Sequence, residues 1–157
     1  MNKDSAIFIF NRDCASIRFS IVAEEWPIDK FIKEIGITPT ESYKKGDAYS
    51  RGVRKLSRFE TVWSLHTGDV FLRYEEDEDK KIFDSIIVPL QPKINVINEY
   101  RKKYNLTCIF FVHYNFYDAQ TPGMRIDPSV IAFANSIGAI IDVYIDNETL
   151  LDNQKKY

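Results

Sequence analysis

From Ser16 to Glu24 apolar and polar residues alternate, with Ile17, Phe19, Ile21 and Ala23 set against Arg18, Ser20 and Glu24. This period of two predicts a strand with one face inward. The preceding Ala6-Ile7-Phe8-Ile9-Phe10, followed by the turn-forming Asn11-Arg12-Asp13, predicts an extra N-terminal strand paired with it as a hairpin. The spacing then changes. After Trp26-Pro27, Ile28, Phe31, Ile32 and Ile35 fall at i, i+3, i+4 and i+7, which predicts a helix opened by proline and stopped by Gly36. The same device returns at an offset of 102 residues, with Asp127 as cap, Pro128 at the first position, Val130, Phe133, Ala134 and Ile137 on one face, and Gly138 as the stop.

Each of these helices follows an aromatic-rich strand pattern. The second strand is Leu106 to Phe116, apolar on both faces as suits a central position. A closing strand is expected over Ala139 to Ile145. Between them, Thr61 to His66 reads as a further strand, which turns at Thr67-Gly68-Asp69 and returns through Val70 to Tyr74. Two amphipathic segments, Asp79 to Val88 and Lys93 to Tyr104, are parted by Pro89 and Pro92, which cannot continue a helix. The sum predicts an α+β fold: ferredoxin-like duplicated β-α-β units, an antiparallel sheet with helices on one face, an inserted helix pair and the extra N-terminal strand. A single domain over 1–157 is expected, with halves at about 14–74 and 106–146 and inserted helices at about 79–104. The tail after Leu151 has nothing to bury and is expected to fray.

Composition narrows the class. The 157 residues are 45% hydrophobic, 14% aromatic and 28% charged, an ordinary globular profile. No apolar run approaches the roughly 20 residues of a membrane helix. The first residues are too short an apolar region for a secretory signal, so a cytoplasmic location is expected. The two cysteines, Cys14 and Cys108, lie inside apolar patterns and read as small buried hydrophobes. A net charge of −2 gives no global attraction to nucleic acid, which leaves only local patches to consider.

One such patch is residues 44–58, with six basic side chains and one acid. Lys44, Lys45, Arg51, Arg54 and Arg58, with Tyr43, Tyr49 and Trp63 as stacking surfaces, have the chemistry of a phosphate- or nucleic-acid-binding loop. The competing reading is a solvated connection turning at Lys45-Gly46-Asp47. The run Glu75-Glu76-Asp77-Glu78-Asp79 precedes a helix, where two or three acids complement the macrodipole. Five exceed that need, so Glu75, Glu76 and Asp77 are candidates for docking a basic partner. His66 and His113 sit on strands with no metal-ligand spacing, no Walker or dinucleotide glycine pattern occurs, and no cofactor is expected. An enzyme would need a pocket that gathers one of these histidines with a carboxylate.

Several short features recur in one order: Arg18-Phe19-Ser20-Ile21, Ile35-Gly36-Ile37, Thr38-Pro39-Thr40, Lys45-Gly46-Asp47, Trp63-Ser64-Leu65, Leu90-Gln91-Pro92, Ile137-Gly138-Ala139 and Asp142-Val143-Tyr144. In this order and spacing, over residues 14 to 146, the chain resembles the bacterial family called domain of unknown function 4279. The N-terminal 13 residues and the acidic run lie outside the family pattern. The resemblance implies a small cytosolic protein of the kind found among bacterial immunity proteins. The first expectation for function is therefore a non-catalytic protein-binding inhibitor or immunity protein, whose partner is a toxin or a regulated protein. The runner-up is an RNA- or phospholigand-binding module using residues 44–58, and the third is an enzyme. No membrane partner is expected.

Overall fold

The computed structural model describes residues 12–117 and 123–147. The expected N-terminal strand at 6–10 and the tail after Leu151 lie outside the described residues. In chain order the elements are β1 (Cys14–Ala23), α1 (Ile28–Ile35), β2 (Glu41–Tyr43), β3 (Ala48–Arg51), β4 (Arg54–Ser57), β5 (Thr61–His66) and β6 (Val70–Phe71). They continue with α2 (Glu78–Leu90), a 3-10 turn (Gln91–Lys93), α3 (Ile94–Tyr104), β7 (Thr107–Phe116), α4 (Pro128–Ser136) and β8 (Ile140–Asn147).

The main sheet has the order β2-β5-β1-β7-β8, with β6 also paired to β1. Strand β1 is central and antiparallel to both β5 and β7, in the registers Ile21↔Trp63 and Ile17↔Val112. Strands β1 and β2 therefore run parallel with β5 between them, and β5 and β7 run parallel with β1 between them. Both pairs are joined by helical crossovers, the second made of α2 and α3, which is the split β-α-β pattern. The helix pair expected between the halves is present, and topologically it is that second crossover. The sheet departs from antiparallel at one edge, because α4 carries the chain back to lay β8 parallel to β7.

The expected return strand at 70–74 is short and pairs with the start of β1, through Cys14↔Phe71, and not with β5. Continued pairing there is secured by Asp13. Its carbonyl accepts from Leu72 N (2.9 Å) and its carboxylate from Tyr117 N (2.8 Å).

The core lies between one face of the sheet and the helices. Ile17, Phe19, Ile21, Trp63, Phe110 and Val112 point into it, and Phe31, Phe83 and Phe133 meet them from α1, α2 and α4. The rings interlock edge to face: Phe31 on Trp63 (5.6 Å), Phe83 on Phe110 (6.0 Å) and Phe133 on Phe110 (6.2 Å). Both glycine stops work as the repeat predicts. Gly36 (φ 67°) closes α1 with its N–H on the Ile32 carbonyl, and Gly138 (φ 59°) follows α4 in the same left-handed conformation. Asp127 caps α4 through Ser129 N. Pro89 does not end α2: it falls in the last turn, where only one helical bond is lost, and Pro92 sits in the 3-10 turn that leads to α3.

Candidate functional site

With α1, α2 and α4 on one face of the sheet, the alternate residues of the same strands look outward. Arg18, Ser20 and Val22 of β1, Val62, Ser64 and His66 of β5, and Phe111 and His113 of β7 form this second face. Glu41 and Tyr43 of β2 flank it on one side, Asp142, Tyr144 and Asp146 of β8 on the other. Two hollows lie along it. One, of about 290 Å³, has Ser20 and Ser64 at its floor and Tyr43, Glu60 and Thr107 around it. The other, of about 640 Å³, runs past His66 and His113 to Tyr144 and Asp146. They share Arg18, Glu41 and Phe111, so together they make one shallow trough across the strands.

Guanidinium groups and aromatic rings are paired along this trough. Arg18 lies over Phe111 at 4.8 Å, and Phe111 stacks in turn on Tyr144 with centroids 6.5 Å apart. Arg58 is held between two rings, Tyr43 at 3.9 Å and Tyr49 at 4.3 Å, and reaches Glu41 at 3.6 Å. Burial pushes the Tyr43 phenol up, partly offset by Arg58. At the floor the Ser20 and Ser64 hydroxyls hydrogen-bond to each other at 2.9 Å, both buried.

The candidates from the sequence distribute unevenly. Residues 44–58 are more than a loop: Gly46 N donates to Arg58 O, Arg58 N to Asp47 O, and β3 and β4 form a separate two-stranded ribbon. Lys44 is tied to Asp29 at 2.5 Å and Lys45 to Glu24, both acids lying at or just before α1. Those two lysines brace the fold, leaving Arg51 and Arg54 as the outward cations, with Lys55 beside them. Trp63 is fully buried between Phe19 and Phe31, so it offers no stacking surface; it follows the inward period of β5 set by Ile21.

The acidic run is partly consumed by structure. Glu78 accepts from Arg73 N and Tyr74 N, and Asp79 accepts from Tyr114 OH (2.7 Å) and Arg125 N (2.9 Å). Burial and the Asp79 bond push the Tyr114 phenol far up. Glu75 lies near Arg73 and Lys81, and Asp77 forms the left-handed lead into α2. Glu76 and Asp77 remain exposed on the side of the molecule that carries α2.

His113 meets Asp146 across the β7–β8 pair at 2.7 Å, so the trough does bring a histidine and a carboxylate together. Both are about half exposed, and among the described residues no hydroxyl or thiol hydrogen-bonds to that imidazole. Cys108 faces the core, where burial pushes its thiol up to about 12, and Cys14 is half-buried with its thiol raised as well, first by burial. Among the described residues no group of three or more His, Cys, Asp or Glu is placed to hold a metal, and no helix is long and apolar enough to cross a membrane.

A family model described as Domain of unknown function (DUF4279) matches residues 13–148, which takes in the whole sheet, all four helices and the trough. The chain belongs to that family. No curated protein and no solved structure matches this DUF4279 chain.

The sequence carries a partial signal for the trough. Arg18, Phe111 and Tyr144 occupy the outward positions of three strands whose inward positions are continuous hydrophobes. Tyr144, an aromatic on the polar side of the Ile141-Val143-Ile145 alternation, is the one the pattern makes conspicuous; Phe111 lies on a strand apolar on both faces and is not marked by it.

Proposed function

We propose that this DUF4279 chain is a non-catalytic binding protein that takes a protein partner on the open face of its sheet, in the way an inhibitor or immunity protein occupies its target. The observation that carries this reading is the trough with its Arg18–Phe111–Tyr144 and Tyr43–Arg58–Tyr49 stacks. Arginine and aromatic side chains supply most of the energy of protein interfaces, and stacking holds them ready at little entropic cost. Arg18 stands among the carboxylates of Glu41, Glu60 and Asp146 along this face, and Arg58 reaches Glu41 from its edge. Mixed signs suit a partner with its own pattern of charges. A nucleic-acid backbone would meet those carboxylates as like charges, so the basic ribbon alone has to favour it.

A photo-crosslinker tests the reading. With benzoylphenylalanine at Tyr144 or His66, irradiation in the native cell is expected to give a discrete, protease-sensitive adduct. The same group at Val88 or Ile131, exposed on the helical side, is expected to give none. An adduct removed by ribonuclease, or adducts formed only from the helical side, would overturn it.

A further inference from the structure

We infer that what the partner places at the middle of the trough is a single carboxylate on an extended, otherwise uncharged segment, anchored by Arg18; this rests on the protein-binding reading above. Arg18 stands where the two hollows join. Its guanidinium lies over Phe111, and no described carboxylate comes within ion-pair distance of it, whereas Arg58 on the same face already has Glu41. Stacking uses the flat face of a guanidinium and leaves its in-plane N–H groups for a carboxylate, which they match in a two-pronged geometry.

The floor of the smaller hollow adds a second, independent donor. Ser20 and Ser64 are 2% and 1% exposed, and their mutual hydrogen bond uses one hydroxyl proton of the two. The other has no acceptor among the described residues, and a buried unused donor is costly. A carboxylate oxygen seated between Arg18 and this pair satisfies both.

Shape and field decide between an isolated anion and a chain. The trough continues to both sides of Arg18, walled by Tyr43 at one end and Tyr144 at the other, so an extended segment can lie along it. On the β3–β4 ribbon, linked to Tyr43 through Arg58 and Tyr49, Arg51 and Arg54 pair in direct register, and neither has a carboxylate partner among the described residues. Like charges placed opposite each other destabilise a strand pair, and an acid of the partner that faces the ribbon relieves the repulsion. A chain with an anion at every position, phosphate or carboxylate, is disfavoured because Glu41 and Glu60 stand on the rim, which leaves room for one carboxylate at Arg18.

The probe is an array of acetylated, amidated octapeptides in which Asp and Glu are exchanged against Asn and Gln. The best binder is then measured by fluorescence anisotropy against the full chain. Binders are expected to carry Asp or Glu at one fixed position, and Gln or Asn there should weaken binding about tenfold or more, the worth of one charge-assisted pair. Arg18→Gln should cost as much, with Arg18→Lys between, and both should keep the wild-type thermal midpoint because Arg18 is exposed. Arg51→Ala with Arg54→Ala should slow association and flatten its salt dependence while leaving the acidic requirement intact. A neutral or basic consensus, an acidic binder indifferent to Arg18→Gln, full competition by millimolar acetate, or an array without binders would each overturn the inference. All four would leave a Tyr144 crosslink standing, so the two readings fail separately.

Discussion

At the scale of single residues, Trp63 is the clearest case of pattern against chemistry. A tryptophan close to a basic segment suggests stacking on a base, but the alternation along β5 turns it inward, and Phe19 and Phe31 pack on its ring. Its indole N–H is buried with no hydrogen-bond partner among the described residues. Trp63→Ala is therefore expected to cost about 3–5 kcal/mol in chemical unfolding, the usual range for a large buried aromatic. Trp63→Phe should cost much less than that, since it removes the unpaired donor along with one ring. Equal losses in the two variants would show that the donor is satisfied in solution.

Elements tell which parts of the fold were legible beforehand. Strands β1, β5 and β7 and helices α1 and α4 follow from period and caps, because each has a clean apolar stripe with a proline or glycine at its ends. The ribbon β3–β4 was not legible. Its outward positions carry polar residues, its apolar ones are few, and Leu56 and Val53 stay exposed, so no periodicity marks it. The partner of β6 was hidden for another reason: two residues carry no register signal, and the Asp13 hydrogen bonds that steer them are side-chain chemistry. The trough was legible only in retrospect, since it needs the strand order β2-β5-β1-β7-β8 to place Tyr43 and Tyr144 on opposite sides of Arg18.

The two glycine stops, alike in sequence, differ in surroundings, and a paired substitution separates them. A Cβ on Gly36 would find only Lys93 Nζ at 3.8 Å, so Gly36→Ala should cost the left-handed strain of about 1–2 kcal/mol alone. A Cβ on Gly138 would lie 2.7 Å from Arg101 Nη1, in a guanidinium that Asn98 holds through Nε. Gly138→Ala is expected to be the more damaging in urea unfolding. In an Arg101→Ala background the excess should vanish; its persistence would place the clash elsewhere.

For the molecule as a whole, stability is expected to form a plateau with two edges. The carboxyls of Glu34, held by the Tyr100 hydroxyl, and of Asp127, held by Ser129, lie below their ordinary values of 4.5 and 3.8. Glu24 is lowered as well, by Lys45. For a lowered carboxyl the unfolded chain binds the proton first, so the stabilisation is present above about pH 4 and is lost as pH falls through the native values. Lys44, Lys45 and Lys80 are raised above 10.5 by Asp29, Glu24 and Asp84, so their contribution is complete below that pH and is lost above it. Thermal midpoints measured across pH should fall at both ends. Tyr100→Phe should shrink the acid-side drop, because it removes the largest cause acting on Glu34. An acid limb identical to wild type would contradict that assignment.

The central place of β1 also sets an order of events during synthesis. The strand is made before either partner: Phe19 pairs with Leu65 and Ile17 with Val112, so each neighbour arrives long after it. At translation rates of roughly 5–20 residues per second, the second neighbour of β1 leaves the ribosome on the order of ten seconds later. Until β5 follows, an apolar strand has nothing native to pair with, and until β7 follows, one of its hydrogen-bonding edges stays open. The nascent chain is consequently at its most adhesive between the synthesis of β1 and that of β7, and chaperone dependence should lie with the unfinished polypeptide more than with the finished one.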